Sequence, residues 1–207
     1  MDWLKDTRTS YDTVAESYAD LVRPALRQDP YLRAALALFA DLVGPGAPVA
    51  DIGCGPGHVT AHLHRLGLDA IGIDLSPAMI ELARRENPSV RFEVGDMTDL
   101  RADIKEMAGV IAFWSLIHIP DDLVPTVLDQ LKRVLRPGGI LALGFHVGDR
   151  TTLKTEGYGG HPMRVHVHVR PPERVAAWMR AAGFTVEAQL LISPETPKPG
   201  AILYGQC

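Results

Sequence analysis

The chain alternates between two hydrophobic periods, and that alternation predicts the fold. Tyr11, Val14, Ala15, Tyr18, Leu21 and Val22 recur at helical spacing and predict an amphipathic helix. Residues 31–43 are almost continuously apolar, so a second, largely buried helix is expected there, closed by the turn at Gly44, Pro45 and Gly46. Short apolar runs follow at 48–52, 70–73, 90–94, 109–114 and 140–145, each of strand length. Helical repeats separate them. One contains Val59, Leu63 and Leu66; the next starts at a Ser76 cap with Pro77 behind it and reaches about residue 86. A third, with Val124, Val127, Leu128, Leu131, Val134 and Leu135, is stopped by Pro137, Gly138 and Gly139. Strand and helix alternating in this way imply right-handed crossovers and a parallel sheet with helices on both faces, a doubly wound α/β fold.

The last quarter reads differently. A helix is expected over 171–183, then strand-like runs at 184–192 and 201–205 joined by a proline-rich loop at 193–200, long enough for a hairpin. Before it, residues 146–170 form an insertion in which Val165, Val167 and Val169 alternate with Arg164, His166, His168 and Arg170. That is the period of a strand half buried and half polar, and it predicts a flap over a substrate pocket.

Composition narrows the class. With 207 residues and no long linker the chain fits one domain. Hydrophobic residues make up 46% and charged residues 22%, and no apolar run approaches the roughly 20 residues of a membrane span. A formal charge of −4 argues against a nucleic-acid footprint and for a small-molecule partner. Two cysteines are too few for a disulfide framework, and residues 1–12 show no apolar signal core, so the cytoplasm is the expected compartment.

The stretch VADIGCGPGHVT at 49–60 carries the chemistry. Gly53, Gly55 and Gly57 sit between a strand and a helix, a geometry that points backbone N–H groups and a positive helix end at an anionic or nucleotide-like ligand. The dinucleotide fingerprint spaces its glycines G-x-G-x-x-G, whereas here His58 occupies the third glycine position. Asp74 ends the second strand, 21 residues after Gly53, where a carboxylate can accept two hydrogen bonds from a ribose diol.

These residues, D-x-G-C-G-P-G from Asp51 to Gly57, Asp74, and G-D-M at Gly95 to Met97, resemble the class I S-adenosylmethionine-dependent methyltransferases of small-molecule type. The resemblance covers most of the chain. It implies a Rossmann-like, mostly parallel seven-stranded sheet with the last strand antiparallel. It also implies an N-terminal helical lid (1–45), a cofactor core (48–145), a substrate flap (146–170) and a C-terminal helix with a strand hairpin (171–207). On this basis S-adenosyl-L-methionine is the expected cofactor and S-adenosyl-L-homocysteine the product. Gly53, Gly55 and Gly57 would hold the methionine part, Asp74 with Leu75 the ribose, and Asp96 with Met97 the adenine. The segment YDTVAESYAD resembles the lid helix of that family, placing Tyr18 near the methionine end and Tyr11 facing cofactor or substrate. Asp51 is the family's acidic start; it could offset the cofactor ammonium or hold N–H groups of its own turn. Trp114 and Ser115 end the fourth strand beside the expected transfer point, with core packing the competing role for Trp114.

Methyl transfer is an in-line displacement, so proximity, alignment and exclusion of water should supply most of the catalysis and a base is optional. Should an acceptor proton have to leave, His118 and His146 follow strands four and five and are the candidate bases; a structural or cofactor contact is the other reading of each. Cys54 is expected to pack and not to react. His58 and His62 share one helix face but lack the H-E-x-x-H glutamate, so a solvated face is expected and no metal. His161, His166 and His168 with Arg164 and Arg170 read first as a polar flap surface, then as an anion contact and last as a metal site. The Asp/Asn-Pro-Pro-aromatic motif of base methylation is absent where the chain reads Ser115, Leu116, Ile117, His118. Two rivals remain: a nicotinamide-dependent oxidoreductase, and a cofactor-binding module without turnover. The motifs fix neither the acceptor nor an oligomeric state.

Overall fold

Five strands run parallel, each returned by its own crossover, in the computed structural model, which describes residues 3–207; residues 1 and 2 of the expected lid lie outside the described residues. They are β1 (Pro48–Ile52), β2 (Asp69–Asp74), β3 (Arg91–Val94), β4 (Met107–Phe113) and β5 (Leu135–His146). Helices α4 (His58–Arg65), α5 (Pro77–Glu86) and α6 (Val124–Val134) alternate with them, after α1 (Trp3–Val22), α2 (Ala25–Gln28) and α3 (Pro30–Val43). A two-stranded hairpin, β6 (Arg150–Glu156) and β7 (Pro162–Val169), then precedes α7 (Pro172–Ala181), β8 (Thr185–Ile192) and β9 (Gly200–Gln206). The main sheet has seven strands in the order β3-β2-β1-β4-β5-β9-β8, with β9 antiparallel to both of its neighbours. The expected doubly wound sheet and its antiparallel last strand are therefore present.

Alternate residues of each central strand feed opposite layers. Ala50, Ile52, Val110 and Leu141 join Val127, Leu131, Val175 and Met179 under α6 and α7. Val49, Ile111 and Ala142 join Leu36, Phe39 and Leu63 under α3 and α4. Local chemistry sets the helix starts as the sequence implied: Ser76 Oγ accepts from Met79 N at 3.1 Å, and Asp29 Oδ1 accepts from Tyr31 N and Leu32 N at 2.9 and 3.1 Å. Among the described residues, no helix is long and apolar enough to cross a membrane.

Three elements differ from expectation. α1 starts at Trp3, well before Tyr11, because Trp3, Leu4 and Thr7 continue its inner stripe through a segment otherwise dominated by charge. β5 starts at Leu135, so Pro137, Gly138 and Gly139 lie inside a strand and end no separate loop; the ladder with β4 is irregular between Met107 and Gly109. The insertion is a hairpin and not a lone strand, its β6 half having only Leu153 as a large apolar residue and so no period-two signal.

Candidate functional site

A cavity open to solvent lies where the carboxyl ends of β1, β2, β3 and β4 meet the inner face of α1. Its floor is the glycine turn. Gly53 (φ 78°) abuts β4 so closely that a Cβ there would lie 2.2 Å from Ser115 Cβ, and Ser115 Oγ donates to Ile52 O at 2.8 Å. Gly55 (φ 53°) faces Tyr18, whose Cε1 would stand 3.5 Å from an added Cβ. Gly57 also has positive φ but does not line the cavity; a Cβ there would press on the Phe92 ring at 2.6 Å, so this glycine serves packing.

The turn's donors are not aimed at a ligand, which corrects the expectation from sequence. Gly53 N and Cys54 N both donate to Ile73 O, at 2.7 and 3.1 Å, Gly57 N donates to Cys54 O at 3.1 Å, and Pro56 has no N–H. Gly55 N donates to Asp74 Oδ2 at 2.8 Å, and Ser76 N donates to Asp74 Oδ1 at 2.9 Å. The glycines thus admit close approach without offering an anion hole, and the cavity wall they share is acidic. Asp74 lines it with Leu75, and burial pushes its carboxyl above the usual range, offset in part by those two N–H donors. Asp96 and Met97 line it from the end of β3, with Asp96 Oδ1 also accepting from Thr98 N at 2.8 Å.

Asp51 stands outside this wall. It is 2% exposed, and its Oδ2 accepts from Thr60 Oγ1 on α4 at 2.6 Å. It is not among the residues that line the cavity, and it bonds a helix hydroxyl and not the turn's N–H groups. Burial raises it to about 7.

Tyr11, Tyr18 and His118 close the cavity from the other side. The ring centroids of Tyr11 and Tyr18 are 5.7 Å apart, and Tyr18 packs on Tyr158 of the hairpin turn at 4.8 Å. Tyr11 Oη lies 2.7 Å from His118 Nε2, and His118 Nδ1 lies 2.9 Å from His166 O. Burial lowers His118 to about 4 and, with the neighbouring tyrosines and Asp74, pushes both phenols well up. Trp114 lines the cavity in a left-handed conformation (φ 52°), a strained setting for so large a side chain, and also packs half-buried against the core.

His146 does not reach the cavity. Its ring packs 6.2 Å from the Trp114 ring and its carbonyl accepts from Arg170 N at 3.1 Å. The hairpin contributes no lining residue; it backs α1, with Met163 and Val165 against Val14, Arg164 N donating to Ser10 Oγ at 2.8 Å, and Ser17 Oγ donating to Tyr158 O at 2.9 Å. Arg170, expected on a polar surface, is 1% exposed: its guanidinium holds Asp121 at 2.9 Å, Leu116 O at 3.0 Å and Ile119 O. His58 is no solvated residue either, since its Nδ1 is enclosed without a partner and burial lowers it to about 4. Cys54 packs with Ile80, Ala83 and Phe92 as expected, and burial pushes its thiol up.

Sequence reasoning missed the first turns of α1, where Trp3, Leu4, Thr7 and Arg8 line the cavity. It also missed Asp12, whose Oδ1 accepts from Ser76 Oγ at 2.5 Å and from Ala78 N at 3.1 Å, tying α1 to the N-terminus of α5. The Trp3, Leu4, Thr7 spacing was the available signal for the former; nothing in the sequence pairs Asp12 with Ser76.

Residues 49–139 match the family model described as a methyltransferase domain. The chain is 28% identical over 154 residues to a ubiquinone biosynthesis O-methyltransferase of Xanthomonas campestris pv. campestris, covering 67% of this chain and 62% of that protein. It is 31% identical over 157 residues to a trans-aconitate 2-methyltransferase of Methylobacterium nodulans, covering 68% of this chain and 58% of the relative. It thus spans about three fifths of the length of these curated relatives. The fold is shared with the solved 1,6-didemethyltoxoflavin-N1-methyltransferase of Burkholderia thailandensis, with a TM-score of 0.77, 22% identity, and coverage of 99% of this chain and 88% of that one.

Proposed function

Because this chain belongs to the class I S-adenosylmethionine-dependent methyltransferases, we propose that it transfers a methyl group from S-adenosyl-L-methionine to a small organic acceptor. The observation that carries the reading is the inward turn of the glycine-loop donors combined with two carboxylates, Asp74 and Asp96, on the cavity wall. A pyrophosphate needs the N–H groups of the glycine turn free and would face repulsion from Asp74. A cationic methyl donor with a ribose and an adenine does not, and the nicotinamide alternative is disfavoured accordingly. The residues fit such a donor. Gly53 and Gly55 leave room for its aminoacyl part, Tyr18 covers that end, Asp74 retains lone pairs for ribose hydroxyls, and Asp96 with Met97 suits an adenine amine and ring. Bound there, the cofactor supplies a methyl group on sulfonium sulfur that is displaced in line.

This chain's own contribution is then geometric. α1 and Tyr18 exclude water, Gly53 against Ser115 sets the depth of the turn, and Trp114 borders the point of attack. Calorimetry with S-adenosylhomocysteine and with NAD tests the reading, followed by assay of S-adenosylhomocysteine release over phenol, carboxylate and amine acceptors. Tighter binding of NAD, or no release with any acceptor despite binding, would count against it.

A further inference from the structure

Tyr11 comes from the middle of α1 and His118 from the single 3-10 turn after β4, yet both face the cavity that contains Gly53, Gly55 and Trp114. The far side of the imidazole is fixed. His118 Nδ1 meets the carbonyl oxygen of His166, a group that only accepts, so the ring proton is on Nδ1 and Nε2 presents a lone pair. The Tyr11 hydroxyl, 2.7 Å from Nε2, is therefore its donor, and Tyr11 Oη keeps its own lone pairs for another hydroxyl in the cavity. Trp3, Tyr18, Phe113 and Trp114 line the same cavity and give it aromatic walls suited to a planar ring.

Resting on the methyl-transfer reading above, we propose that Tyr11 and His118 form a proton relay serving hydroxylated aromatic acceptors, with Tyr11 touching the acceptor hydroxyl and His118 receiving the proton through it. The acceptor oxygen forms the new O–C bond as the S–C bond breaks and its electron pair stays on sulfur. The acceptor's proton passes to Tyr11 Oη while the proton of Tyr11 passes to His118 Nε2. The products are the methyl ether, a neutral thioether and an imidazolium. One positive charge leaves the buried site at sulfur and one appears on His118, so the charge-burial penalty that keeps His118 neutral at rest is not added to the barrier. Burial also holds Tyr11 un-ionised, which is why a phenol alone would not serve as the base and a second group behind it does.

Two measurements test the relay. In the protein alone at pH 7, 15N NMR should report a neutral His118 protonated on Nδ1, with an Nε2 resonance that shifts in Tyr11→Phe; a ring protonated on Nε2 overturns the proposal. In turnover, phenol, 4-cyanophenol and pentafluorophenol form a series of rising acidity. Tyr11→Phe and His118→Asn should each lower kcat on phenol by about 10²-fold or more, and by less than about 3-fold on pentafluorophenol, which has already lost its proton. Equal losses along the series, no loss, or a wild-type protein that methylates carboxylates or amines but no phenol would overturn it. The NMR measurement needs neither cofactor nor acceptor and can overturn the relay without any turnover. Failure of the underlying methyltransferase reading shows separately, as absence of S-adenosylhomocysteine binding in calorimetry.

Discussion

Thr60 Oγ1 in the first turn of α4 donates to Asp51 Oδ2 at the end of β1 across 2.6 Å, binding together the strand and the helix that flank the glycine turn. Burial raises this carboxyl from 3.8 to about 7. The folded state therefore holds its proton more tightly than the unfolded state does. The associated stability is fully present below about pH 4 and is lost as the pH rises through 7. Relative to Asp51→Asn, whose amide oxygen still accepts from Thr60, the native protein should lose stability at about 1.4 kcal/mol per pH unit across that window. Urea midpoints of both proteins at pH 4, 5.5 and 7 measure it; a constant difference would refute an elevated Asp51.

Asp74 does two things at once, since each oxygen holds a backbone N–H and the same carboxylate faces the cavity. Truncation to Ala would release both Gly55 N and Ser76 N as well as any ribose contact, whereas Asp74→Asn keeps one acceptor oxygen and so disturbs the turn less. S-adenosylhomocysteine affinity should fall by about 1.5 to 3 kcal/mol, the usual scale for a hydrogen bond to a charged group. Unaltered affinity by calorimetry in a folded variant would remove Asp74 from the binding site.

The fold was legible because its signals are local. Strand-length apolar runs, helical repeats, the Ser76 cap and the glycine turn each report on a few adjacent residues, and together they specify the sheet. Of the site, Gly53, Gly55, Asp74, Asp96 and Met97 were legible as a motif and do line one cavity. What the sequence concealed depends on partners far along the chain. The donors of the glycine turn are consumed by Ile73 and Asp74, Asp51 is bonded to Thr60, and Arg170 lies under carbonyls 51 and 54 residues away. Period-two alternation marked Arg170 as polar-facing, but a long guanidinium can turn inward where three oxygens converge. His118 and His146 looked equivalent at the ends of successive strands; only the 3-10 turn after β4 brings one of them into the cavity.

α1 is latched over the cavity by Asp12, which accepts from Ser76 Oγ and Ala78 N. The surrounding ion pairs, Arg85 with Glu16 and Arg164 with Asp6, are exposed and screened, so they add little. Asp12→Ala should therefore cost about 2 kcal/mol of local stability and speed hydrogen exchange along α1, while the amides of β4 and β5 keep their protection. Turnover should fall with it, as should turnover of a chain lacking residues 1–22, because water then reaches the transfer point. Unchanged exchange in α1 would show that the hairpin alone holds the helix down.

The guanidinium of Arg170 fixes the segment that presents His118. Nε and Nη2 reach Asp121 at 2.9 Å, Nη1 reaches Leu116 O at 3.0 Å, and Nη2 also reaches Ile119 O, so both ends of the 3-10 turn are bonded to one buried side chain. Arg170→Ala takes the donor from Ile119 O, one of two donors from Leu116 O, which keeps Ile119 N, and the nearer of two arginines from Asp121, which keeps Arg174 at 3.6 Å, and the cost should be about 1.5 to 3 kcal/mol. Arg170→Lys should recover only part of this, because one ammonium cannot span three oxygens held in a fork. The loss should also reach the cavity. With the turn released, His118 Nδ1 leaves His166 O, the imidazole becomes free to change tautomer, and its 15N signals should broaden or move in Arg170→Lys while those of His146 do not. Denaturant titration reads the first effect and NMR the second. A variant that loses stability yet leaves the His118 resonances in place would make Arg170 a packing residue with no hold on the site.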